Sequence, residues 1–302
     1  MKTFLSLMLF TLMSAALMAQ TPVALKLNLE KGKTYTVKTV TKQTMQQGVA
    51  GQSMVVNVLA NHVTSFKLLN RENDVLELEV RFDTVANKIS SAMFNKEMSS
   101  AQPGKEPLER LQNKMSLYPL KAKINTAGKF VGFSNLDEFK AKVMMVIDSL
   151  PDSKKDEAKT QAAMLLKESA LKSTIEPMFG HLTDKPVNLN DSWESSYIMS
   201  INDISFLVYN TYTLKSLENG QAVLSGTSEI ESLPSSNSTV KIEQPIKGSA
   251  SLDVRVDMAS GMLATQTEKN KMEGTITVTN GGTDYKVDLK IEAQSETISK
   301  KN

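Results

Sequence analysis

Residues 66–78, FKLLNRENDVLEL, and residues 212–224, YTLKSLENGQAVL, show one pattern twice in the same chain. Each segment begins as a strand with an aromatic residue, passes through a turn with an acidic residue and Asn, and returns as an apolar strand. Asn-Asp and Asn-Gly pairs are typical of tight turns between strands. The two segments therefore predict two β-hairpins of similar construction.

The sequences that flank these hairpins also resemble each other. Residues 27–35, LNLEKGKTY, match residues 187–193, VNLNDSW, and residues 120–131, LKAKINTAGKFV, match residues 252–263, LDVRVDMASGML. Three elements thus recur in the same order, which indicates an internal duplication of a β-unit. The alternative is two unrelated meanders that share their turn chemistry for general reasons.

The chain between the two β-units changes character and favours helices. Seven of the seventeen methionines lie between residues 86 and 179, and methionine is a good helix former. Asn135, with Glu138 as its capping-box partner, predicts a helix that runs to Pro151, and a second helix follows to about Ser173. We therefore divide the chain into a first β-unit (20–85), a helical insert (86–180) with a hairpin near 118–133, and a second β-unit (181–302), together one compact two-repeat domain.

Strand alternation predicts a β-dominated α+β fold. Apolar residues at 76, 78, 80 and 82 alternate with charged residues at 77, 79, 81 and 83, so one face of this strand is buried and the other faces water. A sheet with one apolar face needs a cover, and the central helices can supply it. We predict a curved sheet or half-barrel covered by these helices, with a β-sandwich as the alternative.

The N-terminus predicts export. Lys2, an apolar run over residues 4–12 and small residues at positions 14, 15, 16 and 19 are typical of a secretory signal peptide, with cleavage between Ala19 and Gln20. No cysteine follows the small residues, so we expect a periplasmic or secreted protein without a lipid anchor. No later segment is apolar over the length of a bilayer, so we expect no transmembrane anchor after cleavage.

Composition narrows the possible functions. The 302 residues carry 35 basic and 33 acidic side chains, which gives no electrostatic attraction to nucleic acid. The absence of cysteine excludes thiolate chemistry, and two histidines leave little room for a metal site. No nucleophile elbow, phosphate loop or dinucleotide motif is present. We expect no catalytic residue, cofactor or metal ion, although a carboxylate-based hydrolase remains an alternative.

Few residues stand out as candidates for chemistry. His181 has Asp184 and Asp191 nearby, which permits a metal or acid–base site, but a surface loop is the favoured interpretation. His62 shares the alternating face of an apolar strand, as a core or rim histidine does. Trp193 opens a strand and is predicted to anchor the core rather than to stack on a ligand.

The strand carboxylates are predicted to be solvated rather than catalytic. Glu77, Glu79 and Asp83 share one face with Arg81, and neighbouring positions on an outer face do not oppose each other across a cleft. Two Asp-Ser/Thr-apolar triplets, which contain Thr84 and Ser149, match an O-glycosylation acceptor pattern.

Several of these motifs together resemble a known family. The leader that ends in Ala-Gln, the strand entry GKTY at residues 32–35, the segment KPVNLNDSW at residues 185–193 and the hairpins with a small residue before glycine resemble an uncharacterised family of exported Bacteroidota proteins. That family has only a domain-of-unknown-function label. The resemblance covers nearly the whole chain after the leader, and it implies export and a β-rich fold but no catalytic residues.

These observations favour a non-enzymatic binding or carrier protein for a hydrophobic ligand. A curved sheet with a partial helical cover leaves a concave apolar face, where a lipid or another apolar small molecule can bind. We expect Phe139, Val143 and Met164 to line such a cavity between the sheet and the helices. The alternative is a structural or interaction module that binds an envelope protein through its sheet edges or outer faces.

Overall fold

A computed structural model describes residues 22–49, 52–201, 204–234, 240–242, 244–280 and 283–302. The predicted leader and its cleavage site at Ala19 and Gln20 lie outside these residues. The strands are β1 (Thr34–Val49), β2 (Gln52–Glu72), β3 (Val75–Ser91), β4 (Asn95–Ser99), β5 (Leu120–Asn125), β6 (Phe130–Phe133), β7 (Ser192–Ile201), β8 (Ile204–Glu218), β9 (Gln221–Ser232), β10 (Val240–Ile242), β11 (Lys247–Asp257), β12 (Leu263–Asn280) and β13 (Thr283–Lys301). The helices are α1 (Pro107–Leu117), α2 (Leu136–Met144), α3 (Asp152–Leu165) and α4 (Glu168–Ile175), with 3₁₀ helices at Met145–Ser149 and Glu176–Phe179.

All the strands of the described chain belong to one antiparallel sheet. The order is β6-β5-β3-β2-β1-β13-β12-β11-β9-β8-β7, with β4 paired to β3 and β10 paired to β12. The hairpin β5–β6, which the sequence analysis puts in the helical insert, pairs with β3 and extends the first unit to β1-β2-β3-β5-β6. In the second unit the strands β7-β8-β9-β11-β12 have the same order, and the last strand, β13, joins the two units. The sheet does not close on itself, which confirms the predicted half-barrel rather than a sandwich.

The two units also share their irregularities. Each has a β-bulge between its second and third strands and another between its fourth and fifth strands, at positions that the sequence repeat aligns. These register shifts lie between Leu68 and Asn70, Lys123 and Ile124, Leu214 and Ser216, and Arg255 and Val256. The first unit has one further register shift, between Val63 and Ser65, that the second unit lacks. Because a bulge re-aims a strand at one specific residue, the shared positions show that the sequence repeat is also a structural repeat.

Local turn chemistry accounts for the matching hairpins. Asn73 and Asn219 occupy equivalent positions and both have left-handed backbone angles, with φ of 54° and 52°. Gly128, in the predicted β5–β6 turn, has φ of 82°. Asparagine and glycine adopt this conformation at low cost, so these turn predictions are confirmed. The turn predicted at residues 280–281 lies partly outside the described residues.

The N-terminal segment, residues 22–33, ties the two units together at one end of the sheet. Leu25, Leu27 and Leu29 are buried beneath the sheet, and the residues between them face solvent. The Leu27 N–H donates to the Thr126 carbonyl in the first unit, and the next N–H along the chain donates to the Ser260 carbonyl in the second. This segment therefore closes one end of the half-barrel.

The helices pack on the apolar face of the sheet, as predicted. Their buried residues form one core with the strand residues, and the rings of Phe66 and Phe179 meet edge-on at 5.3 Å between centroids. The helical residues of this core include Leu111, Phe139, Val143, Ala158, Ala162, Leu171 and Ile175. Burial of these side chains is the main source of stability in a chain without disulfides.

Helix boundaries depart from the predicted ones where tertiary contacts intervene. The Asn135 side chain does not cap α2. Instead its Oδ1 accepts a hydrogen bond from the Lys121 N–H at 2.7 Å and its Nδ2 donates to the Pro119 carbonyl at 3.1 Å, which joins the helix start to β5. The second predicted helix is broken after residue 165 into α3 and α4, and this break lets Leu166 enter the core.

The first unit extends further than its alternation predicted. β3 continues to Ser91, paired with β2 from Val56 onward, and β4 adds a short strand. The helices therefore begin only at Pro107, where Glu106 and Glu109 form a capping box. Cross-strand pairing along the whole of β2 stabilises residues 84–91 as a strand despite their mixed composition.

Candidate functional site

A cavity of about 300 Å³ lies between the concave face of the sheet and the helices. It is bounded by β2 and β3 on one side, by α1, α3 and α4 on another, and by the ends of β7 and β8. The sheet thus curves far enough for strands of both units to reach the same cavity. The lining residues are His62, Phe82, Val85, Gln112, Met115, Met164, Leu165, Lys167, Ser169, Ala170, Leu171, Ser173, Thr174, Ser200 and Ser205.

Apolar side chains supply much of this lining. Phe82 and Val85 reach the cavity from β3, and Met115 reaches it from α1. The break between α3 and α4 redirects the chain, so that Ala170 and Leu171 line the cavity as well. A largely apolar, partly enclosed space of this size is typical of a small-molecule site.

Gln112 is the most buried polar residue of the cavity lining. Its residue surface is only 9% exposed, and its Oε1 is buried. Within the described residues, neither Oε1 nor Nε2 has a hydrogen-bond partner. Helical spacing puts Gln112 on the buried side of α1 together with Leu111 and Met115. An unpaired buried amide is costly, so this residue is a polar feature that packing alone does not explain.

His62 lies on the concave face of β2 and lines the same cavity. Its Nε2 is 3.3 Å from the Asn87 Oδ1 across the strand pair. The residue is exposed, and partial desolvation by its neighbours lowers the pKa of His62, while the hydrogen bond with Asn87 opposes the shift. His62 is therefore neutral at pH 7, as a rim histidine.

Small hydroxyl groups and one lysine surround the rest of the cavity. The Oγ atoms of Ser200 and Ser205 are 3.4 Å apart at the β7–β8 end. Lys167, at the break between α3 and α4, is exposed. Of the described lining residues, Lys167 is the only one with a permanent charge.

The three residues that were predicted to line the cavity do not lie together in the structure. Met164 lines the cavity, whereas Phe139 and Val143 lie in the main core with 1% and 0% exposure. Gln112 and Ala170 were not identified from the sequence. A glutamine between Leu111 and Met115 on the apolar side of a helix is the signal that could have identified Gln112.

A second apolar cluster covers the concave face at the other end of the sheet. Its buried members are Phe206, Val208, Ile230, Ile246, Met272, Ile276 and Val287. It is separate from the main core, which underlies the helices. The concave face therefore presents apolar side chains beyond the part that the helices cover.

Trp193 packs against the main core, as predicted, and stacks on Tyr212 with 5.9 Å between ring centroids. Its Nε1 and the Ser195 Oγ are buried without hydrogen-bond partners in the described chain. Both residues line a groove between β7, the β5–β6 turn and the segment that contains Glu176.

Two carboxyl groups near this groove have raised pKa values. Burial raises the pKa of Glu268, although hydrogen bonds from Asn270 and Gln266 oppose the shift. Burial also raises the pKa of Glu176, whose Oε2 is 3.5 Å from the Lys172 Nζ. Each carboxyl group makes its hydrogen bonds or ion pair with its own neighbours.

The interpretation of His181 as a surface-loop residue is wrong. His181 is 1% exposed, and its Nε2 donates to the Gly261 carbonyl at 2.9 Å. Burial lowers the pKa of His181 to about 4. The loop folds inward because the N-terminal segment and the β11–β12 turn both pack against it.

The carboxylates near His181 in sequence do not join it. Asp184 is exposed and forms an ion pair with Lys129 at 2.7 Å, and Asp191 accepts hydrogen bonds from Asn188. Among the described residues, no group of three or more histidine or acidic side chains could hold a metal ion.

The remaining candidates lie on the outside of the fold. Glu79 pairs with Arg81 at 2.7 Å, and Asp83 is exposed. Thr84 is half-buried in β3. Ser149 is exposed at the end of the first 3₁₀ helix, where its Oγ donates to the Val146 carbonyl.

None of the helices in the described ranges is long and apolar enough to cross a membrane.

The chain matches no curated protein. Its structure is similar to lipovitellin, a structure solved for lipid–protein interactions, with 9% identity over 91% of this chain and 26% of that one, at a TM-score of 0.49. The chain therefore spans about a quarter of lipovitellin.

Two bacterial structures are also similar over 91% of this chain. One is the COG4313 outer membrane channel of Pseudomonas putida F1, with 6% identity, 97% of that chain covered and a TM-score of 0.25. The other is a protein inferred to be exported, with a YmcC-like fold, from Bacteroides fragilis, with 9% identity, 97% coverage and a TM-score of 0.24. At these scores neither structure supports an inference about this chain.

The match to a family is of a different kind. Residues 73–263 match a family of unknown function, DUF6263, over more than half of the chain, from the β2–β3 turn to the start of β12. No enzymatic family is indicated. The chain belongs to the DUF6263 family.

Proposed function

We propose that this protein is an exported, non-enzymatic binding or carrier protein for a hydrophobic small molecule. The observation that carries the proposal is the cavity of about 300 Å³ between the sheet and the helices, with apolar side chains from β3, α1 and α4. Apolar side chains around a partly enclosed space are typical of a site for a small apolar molecule. The second apolar cluster adds concave apolar surface for a longer ligand.

Filling the cavity is expected to abolish binding. Ala170 lines the cavity from α4, so the indole of Ala170→Trp would occupy the space of the ligand. Ala163 is exposed on α3, and Ala163→Trp is the matched control. We expect wild type and Ala163→Trp to bind an apolar fluorescent dye, and to yield extractable lipid when purified from the native envelope, and Ala170→Trp to do neither.

The carrier proposal fails if the wild-type protein carries no extractable lipid and binds no apolar dye. It also fails if both tryptophan variants bind the dye as the wild type does, because the dye then sits outside the cavity. Thermal unfolding of Ala170→Trp must stay cooperative, which separates a filled cavity from a misfolded chain.

An interaction module is the competing proposal, and the exposed Met93 and Phe94 at the β3–β4 turn favour it. Met93 is 82% exposed and its neighbour Phe94 is 47% exposed, so two adjacent large apolar side chains are available to a partner. A partner docked there would be lost in Met93→Ser with Phe94→Ser, whereas lipid binding would be unchanged.

Export is proposed on the N-terminal sequence. We expect intact-mass measurement of protein from the envelope to show cleavage between Ala19 and Gln20. The same spectrum reports glycan mass, and loss of that mass in Ser149→Ala or Thr84→Ala would locate the proposed O-glycosylation. A full-length mass with a free initiator methionine would contradict the cleavage site.

A further inference from the structure

The side chain of Gln112 supplies information about the ligand. Gln112 lies on α1 and 91% of its surface is buried. It lines the cavity together with Met115 and Leu171. No described residue pairs with its amide. The buried Oε1 is therefore unpaired, and Nε2 has no partner in the described chain either, in a cavity that Met115 and Leu171 also line. A buried polar group without a partner is costly, and a ligand that pairs with it recovers that cost on binding.

The charges around the cavity decide which polar group fits. Lys167 is the only permanent charge among the described lining residues, and it is exposed whereas Gln112 is buried. Desolvation lowers the pKa of His62, which disfavours its charged form. An ionised head group beside Gln112 would lose its hydration without an opposite charge in return. A neutral head group that both donates and accepts hydrogen bonds would match the amide.

We propose that the cavity binds a neutral amphiphile, an acyl chain with a hydroxyl or amide head group, and that Gln112 is the residue that hydrogen-bonds this head group. The inference rests on the proposed function and names its ligand class. The acyl chain would lie along Phe82, Val85 and Leu165. The serine hydroxyls at the β7–β8 end offer further neutral partners.

Two amphiphiles of equal chain length test this proposal, a monoacylglycerol with a neutral head and the corresponding fatty acid with a carboxylate. We expect the wild-type protein to bind the monoacylglycerol more tightly, and Gln112→Met to weaken that affinity about tenfold. We expect the affinity for the fatty acid to change little, so the variant loses the preference. The methionine keeps the length of the side chain and removes its polar atoms.

The stability of the ligand-free protein separates this role from a structural one. Because Gln112 has no partner, Gln112→Met is expected to leave the urea midpoint unchanged or to raise it. Gln161 is the matched control, since its Oε1 is also buried without a partner, but it lies on α3 outside the cavity and its Nε2 donates to Glu157. Gln161→Met should leave the binding of both amphiphiles unchanged.

Three results would overturn the inference. Equal affinity of wild type and Gln112→Met for the monoacylglycerol removes the role of the amide. Tighter wild-type binding of the fatty acid removes the neutral ligand class. A lower urea midpoint for Gln112→Met, together with an equal loss of affinity for both amphiphiles, would show that Gln112 has a structural role. In each case, if the wild-type protein binds an amphiphile and Ala170→Trp abolishes this binding, the proposed carrier function is still supported. If the wild-type protein binds no amphiphile, both proposals are wrong.

Discussion

Replacement of Gly261 by alanine is expected to destabilise the fold by about 3 kcal/mol, the sum of backbone strain and steric overlap. Gly261 has φ of 73°, a left-handed conformation that alanine adopts at a cost. A Cβ at this position would also overlap the Lys26 carbonyl, so the N-terminal segment would have to move. That segment closes one end of the half-barrel through Leu25, Leu27 and Leu29, and its displacement would disturb the core.

Gly220 provides the control for this prediction. It has φ of 76° in the β8–β9 turn, but a Cβ there would meet no atom within 4 Å. Gly220→Ala should therefore cost only the backbone strain, about 1 kcal/mol. Urea unfolding followed by the fluorescence of Trp193, the only tryptophan, gives both values. Equal losses in the two variants would show that the contact with Lys26 contributes nothing.

The protein is expected to lose about 3 kcal/mol of stability through His181 as the pH falls from about 6.5 to about 4. Burial lowers the pKa of His181 from 6.5 to about 4 in the folded state. Between these two pH values the unfolded chain therefore binds a proton at His181 and the folded chain does not. A lowered folded pKa contributes stability above pH 6.5, and this contribution is lost as the pH falls through the folded pKa.

Comparison with His181→Gln isolates this effect. Glutamine retains a donor for the Gly261 carbonyl, which His181 Nε2 reaches at 2.9 Å, but it does not titrate. The raised pKa values of Glu176 and Glu268 act in the opposite sense, since their contribution is present below pH 4.5 and is lost as the pH rises through the folded pKa. These carboxyl groups titrate in both proteins, so their contributions cancel when the stability of His181→Gln is subtracted from that of the wild type. Parallel urea midpoints for wild type and variant over this pH range would refute the assignment.

Short-range patterns were sufficient to predict most of the strands and turns. The alternation over residues 76–82 predicts the buried face of β3, and all four apolar side chains are buried. Asn73 and Asn219 predict the hairpin turns, because their side chains tolerate the left-handed backbone that such turns need. The repeat follows from the same local signals, and even its bulges lie at aligned positions.

Functional residues were harder to predict, because their environment comes from chain segments far apart in sequence. His181 is buried because residues 22–33 and the β11–β12 turn pack around it. Phe139 and Val143 follow helical spacing on α2 and Met164 lies on α3, yet only Met164 lines the cavity, because α3 borders the cavity and α2 contributes no residue to its lining.

Strand and turn preferences depend on a few neighbouring residues, so the amino-acid sequence determined the half-barrel, its two units and its helical cover. A cavity depends on which long-range contacts leave space unfilled, and hydrophobicity is non-directional, so no local pattern specifies that space. The unpaired amide of Gln112 is the clearest case, since its α1 neighbours Leu111 and Met115 predict only a buried position. Tertiary packing alone puts that amide in an apolar cavity without a partner.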